Sequence, residues 1–282
     1  MIEFSVGNYR SFKDVVTFSM VAAPIQHEDE TLDRNNIFAI AEDINLLKSA
    51  AIYGANASGK SNLVRAISFM RSFVINSAVG RRVKDPIDTE VHKLSKDTET
   101  EPSYFEIIFA SSTARYRYGF EVDRDRVKSE WLYQNLGDEE SELFSRDRQD
   151  INVSGNFPEG QELIKRTRSD ALFLSVAAQF NGDIAIYVTH LFSRLHVISN
   201  AHDEFLWKGL SDHIMLEEHD SKKHLIDLVK GLDLGIEDIE LSRTSTDPEE
   251  NSFKHEIQTA HYKYDSNHKQ LSLEHFNLGE ES

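Results

Sequence analysis

The chain contains no cysteine among its 282 residues, which excludes disulfides, thiolate metal sites and cysteine nucleophiles. No apolar run approaches the ~18 residues that a membrane-spanning helix requires. The first residues, Met1 to Phe4, lack the basic and apolar regions of a signal peptide. Together these absences favour a soluble cytoplasmic protein that makes no contact with a membrane.

Positive charge is also scarce. The chain has 31 Lys and Arg against 48 Asp and Glu, so its formal net charge is −17. A uniformly acidic surface repels nucleic acid and anionic membranes. Contact with nucleic acid would therefore need a local basic patch, for which Arg81 to Lys84 and Lys165 to Arg168 are the candidates. Short charge runs are more often solvated surface, so the net charge does not support nucleic acid as a partner.

Hydrophobic periodicity in the first third of the chain predicts a mixture of strands and one helix. Alternating apolar residues between Ile2 and Met20 predict two strands joined by a turn. Residues 22–45 are polar and irregular, which predicts a loop with a short helix. Ala50–Tyr53 is predicted to be a short buried strand. A helix is expected after residue 60, because apolar residues then recur at helical spacing: Leu63, Ala66, Ile67, Met70, Phe73 and Val74.

The rest of the chain changes from strands to helices and back. Four segments between residues 104 and 145 alternate in polarity and predict an antiparallel meander. Apolar-rich helices are predicted from about residue 170. A return to strands is predicted from Ile236, with Phe253–Tyr264 pairing with Leu271–His275.

The pattern G-x-x-x-x-G-K-[ST], which is typical of a phosphate-binding loop, occurs between the predicted strand and helix. Its residues are Gly54, Ala55, Asn56, Ala57, Ser58, Gly59, Lys60 and Ser61. The glycines permit backbone angles that direct successive N–H groups at phosphate oxygens, and the following helix adds its N-terminal donors. Lys60 is expected to reach the β- and γ-phosphates, and the Ser61 hydroxyl to bind Mg²⁺, which prefers oxygen ligands. The sequence thus predicts binding of a nucleoside triphosphate, with ATP and Mg²⁺ as the expected cofactors and Asn62 as a further contact.

A small GTPase would also carry a D-x-x-G switch and an N-K-x-D motif that reads the base. Neither follows the loop in this chain. The ribbon segment Asn8-Tyr9-Arg10-Ser11-Phe12 and the loop segment from Ile52 to Leu63 together resemble the ABC-type ATPase heads of the SMC and RecF group. Within that group the chain is most similar to bacterial AAA-type ATPases of restriction-linked and abortive-infection loci, the RloA-like proteins. Similar features continue through Tyr116–Val122 and Glu130–Tyr133.

The resemblance implies an α/β fold, namely a P-loop NTPase of ABC-ATPase type with an antiparallel β-subdomain and a helical insertion. It implies an ATPase lobe over residues 1–168, which contains the β-ribbon, the phosphate loop and the meander. A helical insertion would span 169–235, and return strands over 236–282 would lead into a truncated signature motif. In the resembled group the ribbon folds over the nucleotide, so Arg10 and Ser11 are expected near it.

The resemblance also implies how the protein would work. ATP would lie between two heads of a homo-oligomer, and binding and hydrolysis would drive association and release. The setting would be defence against phage or foreign DNA, with an effector protein from the same locus as partner. Catalytic residues are not identifiable, because no Walker B segment follows residue 62. The end at Gly279–Ser282 resembles the opening of the signature motif, so we expect an ATPase portion that is catalytically incomplete. A nucleotide-sensing module without turnover and a RecF-like DNA-repair ATPase are the alternatives.

Overall fold

The computed structural model describes residues 1–25, 35–41, 44–79, 85–111, 114–137, 139–198, 219–231, 235–247, 252–266 and 269–277. The chain divides into two compact units, residues 1–199 and 200–282. The three-part division at residues 168 and 235 stays a prediction.

The first unit is built on an antiparallel sheet. The described strands of the first unit are β1 (Glu3–Gly7), β2 (Val16–Ser19), β3 (Ile37–Ala41), β4 (Ile44–Leu47), β5 (Ser103–Ala110), β6 (Arg115–Val122), β7 (Val127–Asn135), β8 (Glu140–Asp147) and β9 (Asp150–Val153). Seven strands form one sheet in the order β2-β1-β5-β6-β7-β8-β9, and β3 pairs with β4. The predicted N-terminal ribbon and the predicted meander are both confirmed by these antiparallel pairings.

Three α-helices of the first unit contribute to the same hydrophobic core as the sheet: α1 (Lys60–Asn76), α2 (Phe173–Gln179) and α3 (Asp183–Ser193). Buried and half-buried residues alternate along β5, as expected for a strand that covers a core with one face. Aromatic pairs join the two layers: the ring centroids of Phe73 and Phe120 lie 5.5 Å apart, and those of Phe109 and Phe192 lie 5.0 Å apart. The helix predicted after the phosphate loop is confirmed, with Ala66, Met70, Phe73 and Val74 buried.

One local prediction is wrong, and a second is right only in part. Ala50–Tyr53 is not a buried strand: it pairs with no strand among the described residues, and Tyr53 is 91% exposed. Short apolar runs form strands only where a neighbouring strand supplies hydrogen bonds. For residues 22–45 the sequence predicts a loop with a short helix: residues 35–36 are helical, but residues 37–41 form β3, which pairs with β4 with Ile37 opposite Leu47. Residues 26–34 and 42–43 of this range lie outside the described residues.

The second unit contains α4 (His219–Gly231) and the strands β10 (Asp238–Asp247), β11 (Ser252–Tyr264) and β12 (Gln270–Asn277). These strands form an antiparallel sheet in the order β10-β11-β12. The predicted pairing of the last two strands is confirmed. In the part of the chain that the structure describes, no helix has the length and apolar character needed to cross a membrane.

A buried carboxylate joins the sheet of the first unit to its helical layer. Glu130 of β7 is fully buried and accepts hydrogen bonds from the backbone N–H groups of Phe173 and Leu174, at 2.7 and 3.0 Å. It thereby caps the first turn of α2, whose N-terminal donors would otherwise lack acceptors. The Tyr118 hydroxyl donates to the same carboxylate at 2.9 Å. Burial raises the pKa of Tyr118 well above its usual value, so this group stays a donor.

The charge of Glu130 is balanced by Arg146 of β8, whose side chain is also fully buried. The Arg146 guanidinium lies 3.4 Å from the carboxylate and donates to the carbonyl oxygens of Arg148, Arg168 and Ala171. Burial raises the pKa of the Glu130 carboxyl, while the guanidinium and the helix N–H groups oppose that rise. This one pair therefore fixes the end of β8 and the segment that leads into α2.

We expect Arg146→Ala to lower the free energy of unfolding by about 3–5 kcal/mol, because it leaves Glu130 buried without its counter-charge. Urea unfolding followed by circular dichroism measures this change. Lys128→Ala is the control, since Lys128 pairs with Asp123 at 2.6 Å while both side chains are about one-third exposed. Such a pair contributes about 1 kcal/mol or less. Equal losses in the two variants would contradict the role of the buried pair.

Candidate functional site

The predicted phosphate loop forms a tight turn that leads directly into α1. Ala57 and Gly59 adopt positive φ angles of 63° and 96°, and the Ser58 N–H donates to the Ala55 carbonyl at 3.2 Å. Glycine is required at position 59 for a second reason as well. A Cβ atom there would lie 2.5 Å from the Ser11 Oγ, closer than any van der Waals contact allows.

The start of α1 is open to an anion. Its N-cap residue is Gly59, which has no side chain to accept a hydrogen bond, and the first turn contains no acidic residue. The first N–H groups of a helix lack intrahelical partners and carry the positive end of the helix dipole. Ser61, the second residue of the helix, is exposed at this end. The geometry fits a bound phosphate group with a hydroxyl beside it.

Lys60 folds back over the loop. Its Nζ donates to the carbonyl oxygens of Gly54 and Ala55, each at 2.7 Å. The ammonium charge therefore lies over the backbone that the motif assigns to phosphate binding. Among the described residues, no carboxylate forms a hydrogen bond or ion pair with residues 54–62. A phosphate bound at the loop would therefore contact the Lys60 ammonium without competition from a carboxylate on the loop itself.

The N-terminal ribbon brings Ser11 to the loop. The Asn62 side-chain amide donates to the Ser11 Oγ at 2.9 Å, and the Asn62 Oδ1 accepts from Arg65 at 3.2 Å. The structure therefore brings Ser11 next to Gly59 and Asn62, although Asn62 lies 51 positions further along the sequence. The Arg10 guanidinium forms an ion pair with Glu90 and, among the described residues, makes no hydrogen bond to the loop.

The turn that carries these residues has a strained backbone. Asn8 and Arg10 have φ angles of 43° and 50°, in the left-handed region that residues with a side chain seldom adopt. Asn8 offsets this strain with a set of buried hydrogen bonds. Its side-chain amide donates to the carbonyl oxygens of Thr98, Glu101 and Pro102, at 2.9, 2.8 and 3.3 Å.

The segment between α1 and β5, which we call the connector and whose described residues are 85–102, makes further contacts with this turn, as does the first residue of β5. The His92 N–H donates to the Asn8 Oδ1 at 3.0 Å, and the Ser103 hydroxyl donates to the Asn8 carbonyl at 2.7 Å. These contacts could not be found from the sequence. Their polar side chains follow no periodicity, and they meet Asn8 only across more than eighty residues of chain. The one available signal was an asparagine beside a turn.

The two basic patches do not strengthen the case for nucleic acid. Residues Arg81 to Lys84 lie outside the described residues. In the second patch, Arg168 forms an ion pair with Asp170 at 2.9 Å, and the Arg166 guanidinium lies 5.6 Å from the centre of the Phe180 ring. Both side chains are therefore engaged within the molecule. Among the described residues, no group of three or more His, Asp or Glu side chains could hold a metal ion.

We expect Asn8→Asp to destabilise the first unit, because a carboxylate oxygen would replace the amide that faces three carbonyl oxygens. The loss should be on the order of 2–3 kcal/mol, the usual cost of unmatched buried polar groups. Urea unfolding checks it. Asn152→Asp, which makes the same change at an exposed position on β9, should leave the free energy of unfolding almost unchanged. A stable Asn8→Asp protein would show that the turn does not depend on this amide.

A comparison with known protein families matches residues 49–276 to the family described as "AAA domain, putative AbiEii toxin, Type IV TA system". Searches of curated proteins and of solved structures gave no significant match. The matched range includes the whole phosphate loop and α1, and it begins after the turn that carries Arg10 and Ser11. Since the match covers most of the chain and the phosphate loop has the geometry described above, the protein belongs to this AAA-domain family, a family of P-loop ATPases that bind nucleotide.

Proposed function

We propose that residues Gly54 to Ser61 bind ATP with Mg²⁺, and that this binding drives an ATPase cycle. The observation that carries the proposal is the loop itself: an uncapped helix N-terminus, a glycine in the left-handed region and a lysine folded over the loop. Lys60 would exchange its two carbonyl partners for phosphate oxygens of the nucleotide. Ser61 would bind Mg²⁺, whose chemistry is to neutralise and orient the phosphates.

The residues around the loop have separate roles in this proposal. The N–H groups of the loop and of the first turn of α1 would hold the phosphates. Asn62 would fix the Ser11 hydroxyl at the edge of the loop, as it does in the structure at 2.9 Å. Arg10 would supply a second cation from the ribbon. Together these groups would orient the terminal phosphate and stabilise the charge that develops on it during transfer.

The finer assignment rests on the resemblance to ABC-type heads of the SMC and RecF group. We propose that two copies associate when ATP is bound and separate after hydrolysis. The setting would be an anti-phage or restriction-linked defence system, with an effector protein from the same locus as partner. The description of the matched family, which names a putative AbiEii toxin of a Type IV TA system, supports a defence setting only in general terms.

A nucleotide-sensing module without turnover is the second candidate, and one observation favours it. Phosphoryl transfer to water requires a residue that orients the attacking water. Within the described residues, no carboxylate forms a hydrogen bond or ion pair with the loop. Measurement of phosphate release by the purified protein with Mg·ATP separates the two candidates.

Lys60→Ala should raise the dissociation constant of Mg·ATP by about a hundredfold or more, because the cation that neutralises the phosphates is lost. Calorimetric titration of both proteins measures this. Lys93→Ala, an exposed lysine of the connector, removes the same charge away from the loop and should bind as the native protein does. Equal affinity in Lys60→Ala and native protein would refute the phosphate-loop assignment.

Mg·ATP should double the mass of the native protein in light scattering, while ADP should not. Lys60→Ala should stay at its starting mass with either nucleotide, because association depends on the bound triphosphate. An unchanged mass with ATP, in a protein that binds ATP by titration, would leave the binding function intact and would contradict ATP-driven association.

A further inference from the structure

The seven-stranded sheet of the first unit has two different sides. One side packs on α1, α2 and α3 and contains Phe105, Phe120 and Leu132, all fully buried. Because side chains alternate along a strand, the residues between these core positions lie on the opposite side of the sheet. We call that side the outer face and define it by its central residues: Glu106, Arg117, Gly119, Glu121, Trp131 and Glu142.

Trp131 forms an aromatic platform at the centre of the outer face. Gly119 lies opposite Trp131 in the sheet register, and a Cβ atom at position 119 would lie 2.4 Å from the indole Cζ2. The indole therefore lies directly on the Gly119 backbone. Its Nε1 donates to the Glu106 carboxylate at 2.8 Å, and its centroid lies 5.6 Å from that of the Tyr104 ring. These contacts fix the plane of a large ring that remains half-buried, and such aromatic side chains are enriched where protein surfaces bind each other.

Arg117 is already neutralised within the outer face. Its guanidinium donates to both carboxylate oxygens of Glu140, at 2.9 and 2.6 Å, and lies 3.3 Å from Glu106. It also lies 4.1 Å from the centre of the Tyr133 ring. The positive charge of Arg117 is therefore engaged by its neighbours and gives little attraction to an anionic ligand.

Two other carboxylates of the outer face are held in place but not neutralised. Glu121 accepts from the Ser129 hydroxyl, and Glu142 accepts from the Ser145 and Tyr133 hydroxyls at 2.7 and 3.1 Å. Within the described part of the chain, neither carboxylate forms an ion pair. Hydroxyl donors orient a carboxylate without cancelling its charge, so both groups can still accept from a cation.

A cleft of about 340 Å³ adjoins the platform. Its apolar walls include Val21, Ile44 and Ile108, and Glu140 contributes to its rim. Ile108 lies on β5 two residues from Glu106, which corresponds to about 7 Å along a strand. One apolar side chain of a ligand could therefore enter the cleft while a neighbouring side chain reaches the platform.

We propose that the outer face is a docking surface for a basic segment of a partner protein. The segment would place a lysine or arginine on the Trp131 indole, near Glu121 and Glu142, and an apolar side chain in the cleft. Tryptophan is the aromatic side chain that binds cations best. The two carboxylates add Coulombic attraction to the same cationic segment.

Charge distinguishes this partner from two other occupants. A second copy of the chain carries the same net charge of −17, so two acidic surfaces would repel each other. Nucleic acid would be repelled as well. A basic protein segment is attracted by the charge that disfavours the other two. Since α1, which follows the phosphate loop, packs on the other side of the sheet, the inference goes beyond the proposed function and does not depend on it.

The test measures binding of fluorescein-labelled peptides by fluorescence anisotropy. The probe peptide consists of lysine, leucine and serine. In one control peptide glutamate replaces every lysine, and in the other serine replaces every leucine. We expect the native protein to bind the probe more tightly than either control peptide. Binding should weaken as salt is raised, because salt screens exposed charges.

Glu121→Gln/Glu142→Gln should raise the dissociation constant of the probe about tenfold, because two carboxylates that would pair with its lysines are lost. Glu99→Gln/Glu162→Gln is the matched control. Both of its positions are exposed and lie on segments other than the sheet, and the net charge changes by the same amount. This control should bind the probe as the native protein does.

Trp131→Ala should also weaken binding of the probe about tenfold, because the platform is lost. Trp131→Phe should retain part of the affinity, since a smaller ring still presents a face to a cation. Urea unfolding and Mg·ATP titration of these variants show whether the fold and the phosphate loop are intact. If Trp131→Ala does not fold, Trp131→Phe and Glu121→Gln/Glu142→Gln carry the test.

The inference is overturned if the probe does not bind the native protein, or if the glutamate peptide binds equally well. It is also overturned if the control double variant loses as much affinity as Glu121→Gln/Glu142→Gln. Light scattering without nucleotide tests the second copy: a dimer that Trp131→Ala abolishes would assign the outer face to self-association instead. Displacement of the probe by an oligonucleotide from the native protein would assign it to nucleic acid instead.

Discussion

The carboxylate of Glu130 is the constraint on which the first unit depends. It is fully buried between the sheet and the helical layer, and it accepts from the backbone of α2 and from Tyr118. A charge in this position is stable only when it is paired and fully hydrogen-bonded. Arg146 supplies the pair. The geometry of both layers around these two side chains must therefore be kept within narrow limits.

The helix that follows the phosphate loop is tied to the same region. Ser77, directly after α1, accepts a hydrogen bond from the Leu172 N–H and donates to the Ser175 hydroxyl at 3.0 Å. These residues adjoin Phe173 and Leu174, whose N–H groups bind Glu130. The C-terminal end of α1 is thus fixed through buried polar contacts. Its N-terminal end, with the loop, is left exposed to solvent.

The exposed N-terminal end of α1 is contacted by Ser11, which lies in the turn between β1 and β2. The connector holds this turn in place through Asn8 and Arg10. Within the described residues, neither Asn8 nor Glu90 forms a hydrogen bond with the loop, yet they hold the turn that carries Arg10 and Ser11. This division suits a site that must bind and release a highly charged ligand. The fixed parts are buried polar contacts in the body of the unit, and the contacting groups lie on an open surface where water and ions exchange freely.

The family match and the loop geometry both support nucleotide binding. Neither identifies the biological setting. The match describes an AAA domain over residues 49–276. The ribbon turn lies before this range, so its role rests on contacts in the structure. The fold itself would not identify the function, because function depends on the groups assembled at the site.

The phosphate loop, the helix after it and the antiparallel meander could all be predicted from the sequence, because each depends on local spacing. Eight consecutive residues specify the loop, and hydrophobic periods of 3.6 and 2 specify the helix and the strands. The three-dimensional structure was needed to show that Ala50–Tyr53 forms no strand, since a strand requires a neighbour that local sequence does not reveal. It also decided the partners of Asn8, Arg10 and Glu130. Those contacts join residues from 12 to 94 positions apart, and buried polar pairing has no period that a sequence could display.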